Sequence, residues 1–560
     1  MLFQQQKGFP LKSGCSFSIK EDLSSERTIN QQPPTKMTID FENITSIPKL
    51  IKDFLGKKLD GFQNKIFDLE NFKIQIAEKQ NSFSDEKREV LYNTIFSQNQ
   101  ESQLSPKQLE FLFSLKESNT FTITTGHQLN LFTGPVFFVY KILQTIKTAE
   151  FLKSNFPDHN FVPIFWMATE DHDFEEIDHF KTREHYYEIK GISGGDVGNI
   201  KIDDQYFIQE FEKEFKDHLY GTELILWVKN AYKKGNSHTQ AIRYLVNQLF
   251  ADYGLLTIDG NAKELKSQVK DIFKKELLSN QLFETTKTQR EFLEKEYHKV
   301  QVNPREINLF YLSETRNRIE NVSDEYQILD TDLKFTQEEI LNELENHPER
   351  FSPNAVLRPA YQESVLPNLA YVGGNAEVMY WIELKDYFES INLPFPILIP
   401  RNSMLFLEEK TFKKIENSGL EIENFFENFA EVLNQKILEN NDIKLLLTEK
   451  ELQLISSFSE LKNKASETEK TFLNLVEAEE TRQLKSFKRM QKRLLKAEKT
   501  KQSERFDQMQ SLFLKVHPGG NWQERVFNFS VFYADLGKQW IDESYQKMNV
   551  QKSELIISPI

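Results

Sequence analysis

The chain has 560 residues, 39% of them hydrophobic and 28% charged, which suits a folded globular protein of roughly three or four domain-sized units and excludes general disorder. Lys+Arg 70 against Asp+Glu 85 leaves a formal net charge of −15, which repels polyanions and argues against nucleic-acid or anionic-membrane binding. The single cysteine, Cys15, excludes a disulfide scaffold and any multi-thiolate metal site within one chain.

Residues 1–36 run through Gln, Ser, Thr and Pro-Pro without periodicity. They have no secretory h-region, so they read as a disordered leader or an upstream-extended start, with globular patterning from Met37. No apolar run approaches the roughly 18 residues of a membrane span, and the expected location is cytoplasmic. FTITT (121–125) predicts a buried strand, and the following GPVFFVYKILQTIKTAEFLK predicts a helix with Val136, Val139, Tyr140, Leu143 and Ile146 on one face. FVPIFWMAT (161–169) is apolar throughout, as a strand buried on both faces is. LLTID (255–259), INLFYL (307–312) and PILI (396–399) complete the set. Strands alternating with amphipathic helices indicate an α/β fold with a Rossmann-type core spanning 37–419, and the charge-rich stretches within about 185–350 read as connecting subdomains.

Residues 420–517 contain neither Gly nor Pro. Within them Leu454, Phe458, Leu461, Ala465, Thr468, Phe472 and Leu475 step by four and three. That heptad seam predicts a long α-helical coiled coil whose partner is either the basic run 482–505 or a second subunit. Residues 518–560 are expected to return to the core.

Three constellations carry the candidate chemistry. Thr124-Thr125-Gly126-His127-Gln128, with Phe132-Thr133-Gly134-Pro135, lies between a strand and a helix, where backbone N–H groups and the positive helix end bind anions. His127 there is either an acid/base group or a turn residue capping the helix. Glu170-Asp171-His172-Asp173-Phe174-Glu175-Glu176-Ile177-Asp178-His179 packs six acids and two histidines behind a buried strand. Such crowding calls for a substrate ammonium, a divalent metal or arginines, unless it is an exposed acidic helix start. Asn354 to Arg358, Gln362, and Tyr371-Val372-Gly373-Gly374 with Tyr380 and Trp381 form the third. Arg358 and Arg401 can fork onto carboxylates or serve as structural ion pairs, while Tyr380 and Trp381 read as core. His185, His218, His238, His298 and His347 lie in polar contexts and read as surface residues. No GxxxxGK[ST] or GxGxxG is present, so a nucleotide site is open between the sheet cleft and the region of Lys492, Lys496 and His517-Pro518-Gly519-Gly520.

TGHQLNLFTGPVFFVYKI (125–142), VPIFWMATEDHDFEEIDH (162–179), NAVLRPAYQESVLPNLAYVGGNAEVMYW (354–381) and PRNSML (400–405), in that order, resemble the bacillithiol-biosynthesis cysteine-adding enzyme family BshC. The likeness extends from about residue 38 to the C-terminus. It implies a Rossmann-type core with connecting subdomains, a coiled coil that makes a homodimer, and condensation of L-cysteine with the amine of glucosaminyl-malate.

Amide formation from a free carboxylate is uphill in water, so activation by ATP with Mg²⁺ is expected. On this reading His127, Asp171, His172 and Asp173 are the catalytic candidates, with His172 and Asp173 taking the amine proton. The turn around Gly126–His127 and Thr133–Gly134 holds the leaving anion, with Thr125 and Gln128 as further substrate- or nucleotide-binding candidates. Arg358 and Arg401 take the malate carboxylates, with Gln362, Tyr371, Gly373 and Gly374 lining the same cleft. The rival reading is a metal-dependent amidohydrolase on an amino-sugar conjugate, with Asp171, His172, Asp173 and His179 as ligands. A non-enzymatic coiled-coil scaffold ranks last, because it leaves the acidic junction at residue 170 unexplained.

Overall fold

Thr120–His127 (β1) is the middle strand of the main sheet. Its Thr122 and Thr124 hydroxyls reach Asn368 Oδ1 at 3.3 and 2.8 Å, while Phe121 and Ile123 are buried in an apolar cluster. The computed structural model describes residues 37–100, 102–191 and 194–560, and the N-terminal leader with Cys15 lies outside them. Beside β1 run Asn160–Met167 (β2), Leu256–Asp259 (β3), Asn368–Gly373 (β4) and Ile397–Pro400 (β5), in the order β3-β2-β1-β4-β5. All four pairings are parallel. The chain winds outward from β1 through β2 to β3, then returns to the other side of β1 at β4. This reversal opens a crevice at the carboxyl ends of β1 and β4, where ligands bind in sheets of this kind.

Phe137–Asn155 (α1) follows β1 and buries Val136, Val139, Tyr140, Leu143 and Ile146 completely. Arg358–Val365 (α2) and Asn375–Ile382 (α3) flank β4. The expected strand at 307–312 does not enter the parallel sheet. Leu309–Leu312 turns at once through Ser313–Thr315, where Ser313 N donates to Thr315 O at 2.9 Å, and pairs antiparallel with Arg316–Val322. So short a connection can join only antiparallel strands. Five antiparallel strands between residues 309 and 353 result. His238, expected at the surface, is fully buried and donates Nε2–H to Leu129 O at 2.7 Å.

The helical region departs from the predicted seam. Asp442–Ala465 (α4) stops where Thr468 Oγ1 donates to Ala465 O at 2.7 Å, and Lys470–Lys501 (α5) runs back along it. Phe458 and Ala465 bury against Val476, flanked by Leu454 and Leu473, whereas Phe472 and Leu475 face outward. Lys462 pairs with Glu480 at 2.8 Å and Gln491 donates to Glu451 at 2.7 Å, so the basic run is the intramolecular partner. No helix among the described residues is long and apolar enough to cross a membrane.

After Ser503–Val516 (α6) the chain rejoins the sheet region. Glu554–Pro559 lies between Met37–Asp40, antiparallel, and Ser403–Leu407, parallel. Glu524 meets Arg401 through both guanidinium ends, Nη1 at 3.0 Å and Nη2 at 2.7 Å, and both side chains are almost fully buried. Glu524 also accepts from Ser403 Oγ and Met404 N, which satisfies its remaining lone pairs. Removing one partner strands a buried charge. Glu524→Ala is therefore expected to lower unfolding free energy by about 3–5 kcal/mol in urea titration; a loss below about 1 kcal/mol would mean that the pair is solvated.

Candidate active site

The crevice at β1 and β4 widens into a cleft of about 760 Å³, within the range of small-molecule sites. The ends of β1 and β2 form its floor, the β4–α3 turn and α2 one wall, and the antiparallel sheet the other. Gly126 ends β1 at the floor, where a Cβ would sit 3.4 Å from the Tyr371 hydroxyl and 3.7 Å from Arg358 Nη1. A side chain there would fill the approach to the backbone.

The ionised groups fall into two sets. The first is paired within the protein. The buried Lys141 ammonium of α1 donates to Gly126 O at 2.5 Å and to Glu377 at 2.7 and 2.9 Å. Glu377 also accepts from Gly374 N at 2.7 Å and the Tyr371 hydroxyl at 2.9 Å. Burial opposes its ionisation, but the Lys141 charge holds it below the ordinary carboxylate range. This bridge ties β1, α1 and the β4–α3 turn together across the crevice. Glu170 is taken by Lys266 at 2.6 Å, and Arg401 by Glu524.

The second set is open. Arg305, Arg318 and Arg525 line the cleft and make no ion pair among the described residues. Arg525 rests on the Phe137 ring 5.7 Å from its centroid, and Arg401 uses the same ring at 5.0 Å. Arg358 holds only neutral partners, Gln362 Oε1 at 2.7 Å and the Tyr380 hydroxyl at 3.2 Å. Six arginines line the cleft against three carboxylates, Glu170, Asp171 and Glu377, so an acidic protein presents a basic site.

Asp171 accepts from Gln128 Nε2 and from His172 N, each at 2.8 Å. Burial opposes its charge, yet the adjacent His172 side chain, these bonds and Arg316 hold the carboxyl well below its usual range. Arg316 stacks 4.0 Å over Phe310 and donates to Ser352 Oγ, Pro353 O and His172 Nδ1 at 2.9–3.0 Å. An arginine only donates, so His172 Nδ1 is an acceptor and the ring proton sits on Nε2. His172 is thus held between Arg316 and Asp171, whose Oδ1 lies 3.6 Å from Nδ1.

The structure brings Gly126, His127, Gln128, Asp171, His172, Arg358, Tyr371, Gly374 and Arg401 to the cleft. Asp173 is exposed and outside the lining. Thr125 donates to Val372 O at 2.8 Å, which locks β1 to β4 instead of facing a ligand. The Thr133–Gly134 turn is not an anion cradle. Its carbonyls face Asn528, whose Nδ2 donates to Phe132 O at 2.8 Å and Gly134 O at 2.6 Å. Gln362 and Gly373 stand behind the wall, with Gln362 fully buried. Tyr380, expected in the core, lines the cleft, whereas Trp381 is core.

Sequence reasoning missed Lys141, Arg305, Arg316, Arg318 and Arg525. Arg316 and Arg318 did leave a signal, since residues two apart on a strand share a face. Asp171, His172, Asp173 and His179 do not form a ligand set: among the described residues no three His, Cys, Asp or Glu side chains gather to hold a metal. His179 instead contacts Asp178 at 2.8 Å and stacks on Tyr186.

Comparison with known proteins matches residues 37–402 to the model described as bacillithiol biosynthesis BshC, N-terminal Rossmann-like domain, and residues 404–558 to the BshC C-terminal coiled-coil domain. The chain belongs to the BshC family. Relatives named "Putative cysteine ligase BshC" include those of Flavobacterium johnsoniae, 40% identical over 91% of this chain and 97% of the relative, and Christiangramia forsetii, 36% identical over 93% and 98%. That of Flavobacterium psychrophilum is 38% identical over 90% and 96%. The BshC Rossmann-like domain thus carries most of the cleft, and Arg525 enters it from the coiled-coil domain.

His127 packs on Phe137 and Phe138, and burial, aided by the Lys141 charge, pulls its imidazole down to about 3. The ring is neutral at pH 7. The unfolded chain binds its proton near pH 6.5 while the folded protein does not. The His127 contribution to stability is therefore complete above about pH 6.5 and declines as pH falls toward 3. In His127→Gln the fall in unfolding free energy from pH 6.5 to 4 should be shallower, with a residual slope from His238, which is held at about 4. A His127 resonance titrating near pH 6.5 by NMR would contradict this assignment.

Proposed function

We propose that the cleft joins the carboxyl of L-cysteine to the amine of glucosaminyl-malate, making the amide bond of bacillithiol synthesis. One observation carries this reading: both BshC domain models cover the chain almost from Met37 to its end, and the cleft their residues build is basic in an acidic protein. A dicarboxylate, a carboxylate and a phosphate leaving group are all anions, and this cleft offers the cations to meet them.

Activation of the cysteine carboxyl by ATP with Mg²⁺ is part of the proposal, because carboxylate is a poor electrophile. The bare Gly126 at the floor and the open Arg525 suit a phosphate-class leaving group, with neutral His127 beside it. The alternative region near the coiled coil fits less well, since His517 is buried and donates to Phe425 O at 2.9 Å. The attacking nitrogen forms the C–N bond, the acyl C–O bond to the leaving group breaks, and the anion departs toward Arg525. Asp171, kept ionised, holds the ammonium and orients the amine as its proton passes to solvent. His172 Nε2–H donates to the acyl oxygen as charge develops there. The malate carboxylates fall to Arg358, Arg305 and Arg318, because Glu524 already occupies the fork of Arg401.

Purified protein incubated with cysteine and glucosaminyl-malate should yield product by mass spectrometry only when ATP and Mg²⁺ are present. Product without ATP would sink the activation step, and no product beside an active control would sink the ligase reading. Arg525→Ala removes charge-assisted contacts worth about 1.5–3 kcal/mol, so kcat/KM should fall roughly 10- to 100-fold with folding intact. An unchanged value would remove Arg525 from the site.

A cytoplasmic homodimer completes the proposal. Leu445, Leu452 and Leu475 on the helical hairpin are each more than 60% exposed, which suits burial against a second copy. Leu445→Glu with Leu452→Glu should convert a dimer to a monomer in sedimentation velocity. A wild-type protein that sediments as a monomer would refute the assignment.

A further inference from the structure

Helix α2 separates the cleft from a second, smaller cavity. Arg358 lines the cleft, while Glu363 and Ser364 line a space of about 190 Å³ that Lys79, Lys87 and Gln268 also bound. At roughly 30 Å³ per water it holds about six water molecules or one small polyatomic ion with its hydration.

The polar groups around this space are incompletely used. Both amide atoms of Gln268 are buried without a hydrogen-bond partner, and Glu363 Oε2 has only Lys79 Nζ, 3.4 Å away. Lys79, fully enclosed, donates to Glu363 O at 3.0 Å and faces Glu363 Oε2 at 3.4 Å. Lys87 donates only to a carbonyl, Ser364 O at 3.1 Å, and has no carboxylate beside it among the described residues. Two ammonium groups thus face one carboxylate, and the excess is positive. Burial presses both lysines toward the neutral form, a penalty that an anion in the cavity relieves.

We propose that this cavity is a binding site for a small oxyanion of the phosphate or carboxylate class. The anion accepts from Lys87 Nζ and Gln268 Nε2, with Lys79 behind it.

The site is wired to the cleft. Glu363 Oε1 accepts from Gln362 Nε2 at 3.1 Å and Asn368 Nδ2 at 2.7 Å, and Gln362 Oε1 accepts from Arg358 Nη1 at 2.7 Å. An anion that draws Lys79 toward itself frees negative charge on Glu363. That charge strengthens its hold on the Gln362 amide and, through it, fixes the orientation of Arg358. Glu363 and Gln362 are positioning residues in this chain, and Arg358 alone reaches the cleft.

The test is calorimetric titration of the full-length protein with inorganic phosphate and, separately, with acetate, in a buffer free of other oxyanions. Saturable binding of either is expected, and the arm that binds more tightly identifies the source. Lys87→Gln should weaken it at least tenfold, a change of about 1.4 kcal/mol. Ser82→Glu, an exposed change that sets a carboxylate at the mouth without touching a buried group, should weaken it to the same extent, while Arg525→Ala, which acts on any separate anion binding in the cleft, leaves this event in place. No binding in either arm overturns the proposal. So does binding that survives both Lys87→Gln and Ser82→Glu, or binding that Arg525→Ala abolishes, which would place the anion in the cleft. These readouts are binding constants, so they stand whether or not the ligase reading survives its own assay.

Discussion

The cost of burying charge governs the arrangement at the carboxyl edge of the sheet. An ammonium or guanidinium taken out of water loses several kcal/mol of solvation, roughly, unless a well-placed partner replaces it. The protein meets that demand with two buried pairs under the cleft, Lys141–Glu377 and Arg401–Glu524. Each pair joins segments that are far apart in sequence, 236 residues in the first case and 123 in the second. The crevice between β1 and β4 follows from topology, but its rigidity follows from these bridges. What they leave over marks the site: Arg305, Arg318 and Arg525 have no ion-pair partner among the described residues.

Much of the fold was legible because its signals are local. FTITT within Thr120–His127 and the unbroken apolar run in Asn160–Met167 mark strands whose residues are buried almost throughout. Gly126 and Gly374, read from the sequence as cleft residues, both line the cleft. The site itself was less legible. Arg525 acquires its role from Phe137, nearly 400 residues earlier, and nothing in its own neighbourhood marks it. Arg401 illustrates the opposite failure. Its position after a buried strand is right for a ligand-binding arginine, but Glu524 reaches it from the far end of the chain. The second constellation mixes both outcomes, since Asp171 and His172 enter the cleft while Asp173, one residue on, is exposed.

The helical region shows how a sound periodicity can mislead about connectivity. Steps of four and three from Leu454 to Leu475 hold on paper through Ser466–Glu469, where no glycine or proline interrupts them. The chain nevertheless reverses there. A continuous helix would project an isolated apolar seam into solvent, whereas the reversal buries Phe458 and Ala465 against Val476. Side chains of Ser466 and Thr468 bond back to Asn463 and Ala465 carbonyls and so supply the stop that glycine supplies elsewhere.

The hairpin and the cleft are also parts of one chain path. α6 ends at Val516, and eight residues later Glu524 closes the buried pair with Arg401, with Arg525 following at once in the cleft. A substitution that shifts Glu524 therefore acts on the site twice, by stranding the Arg401 charge and by moving the open guanidinium beside it. Because Arg401 and Arg525 both lie over the Phe137 ring, loss of the Glu524 carboxylate leaves two like charges on one ring. Their repulsion adds to the cost of burying Arg401 without a counter-charge.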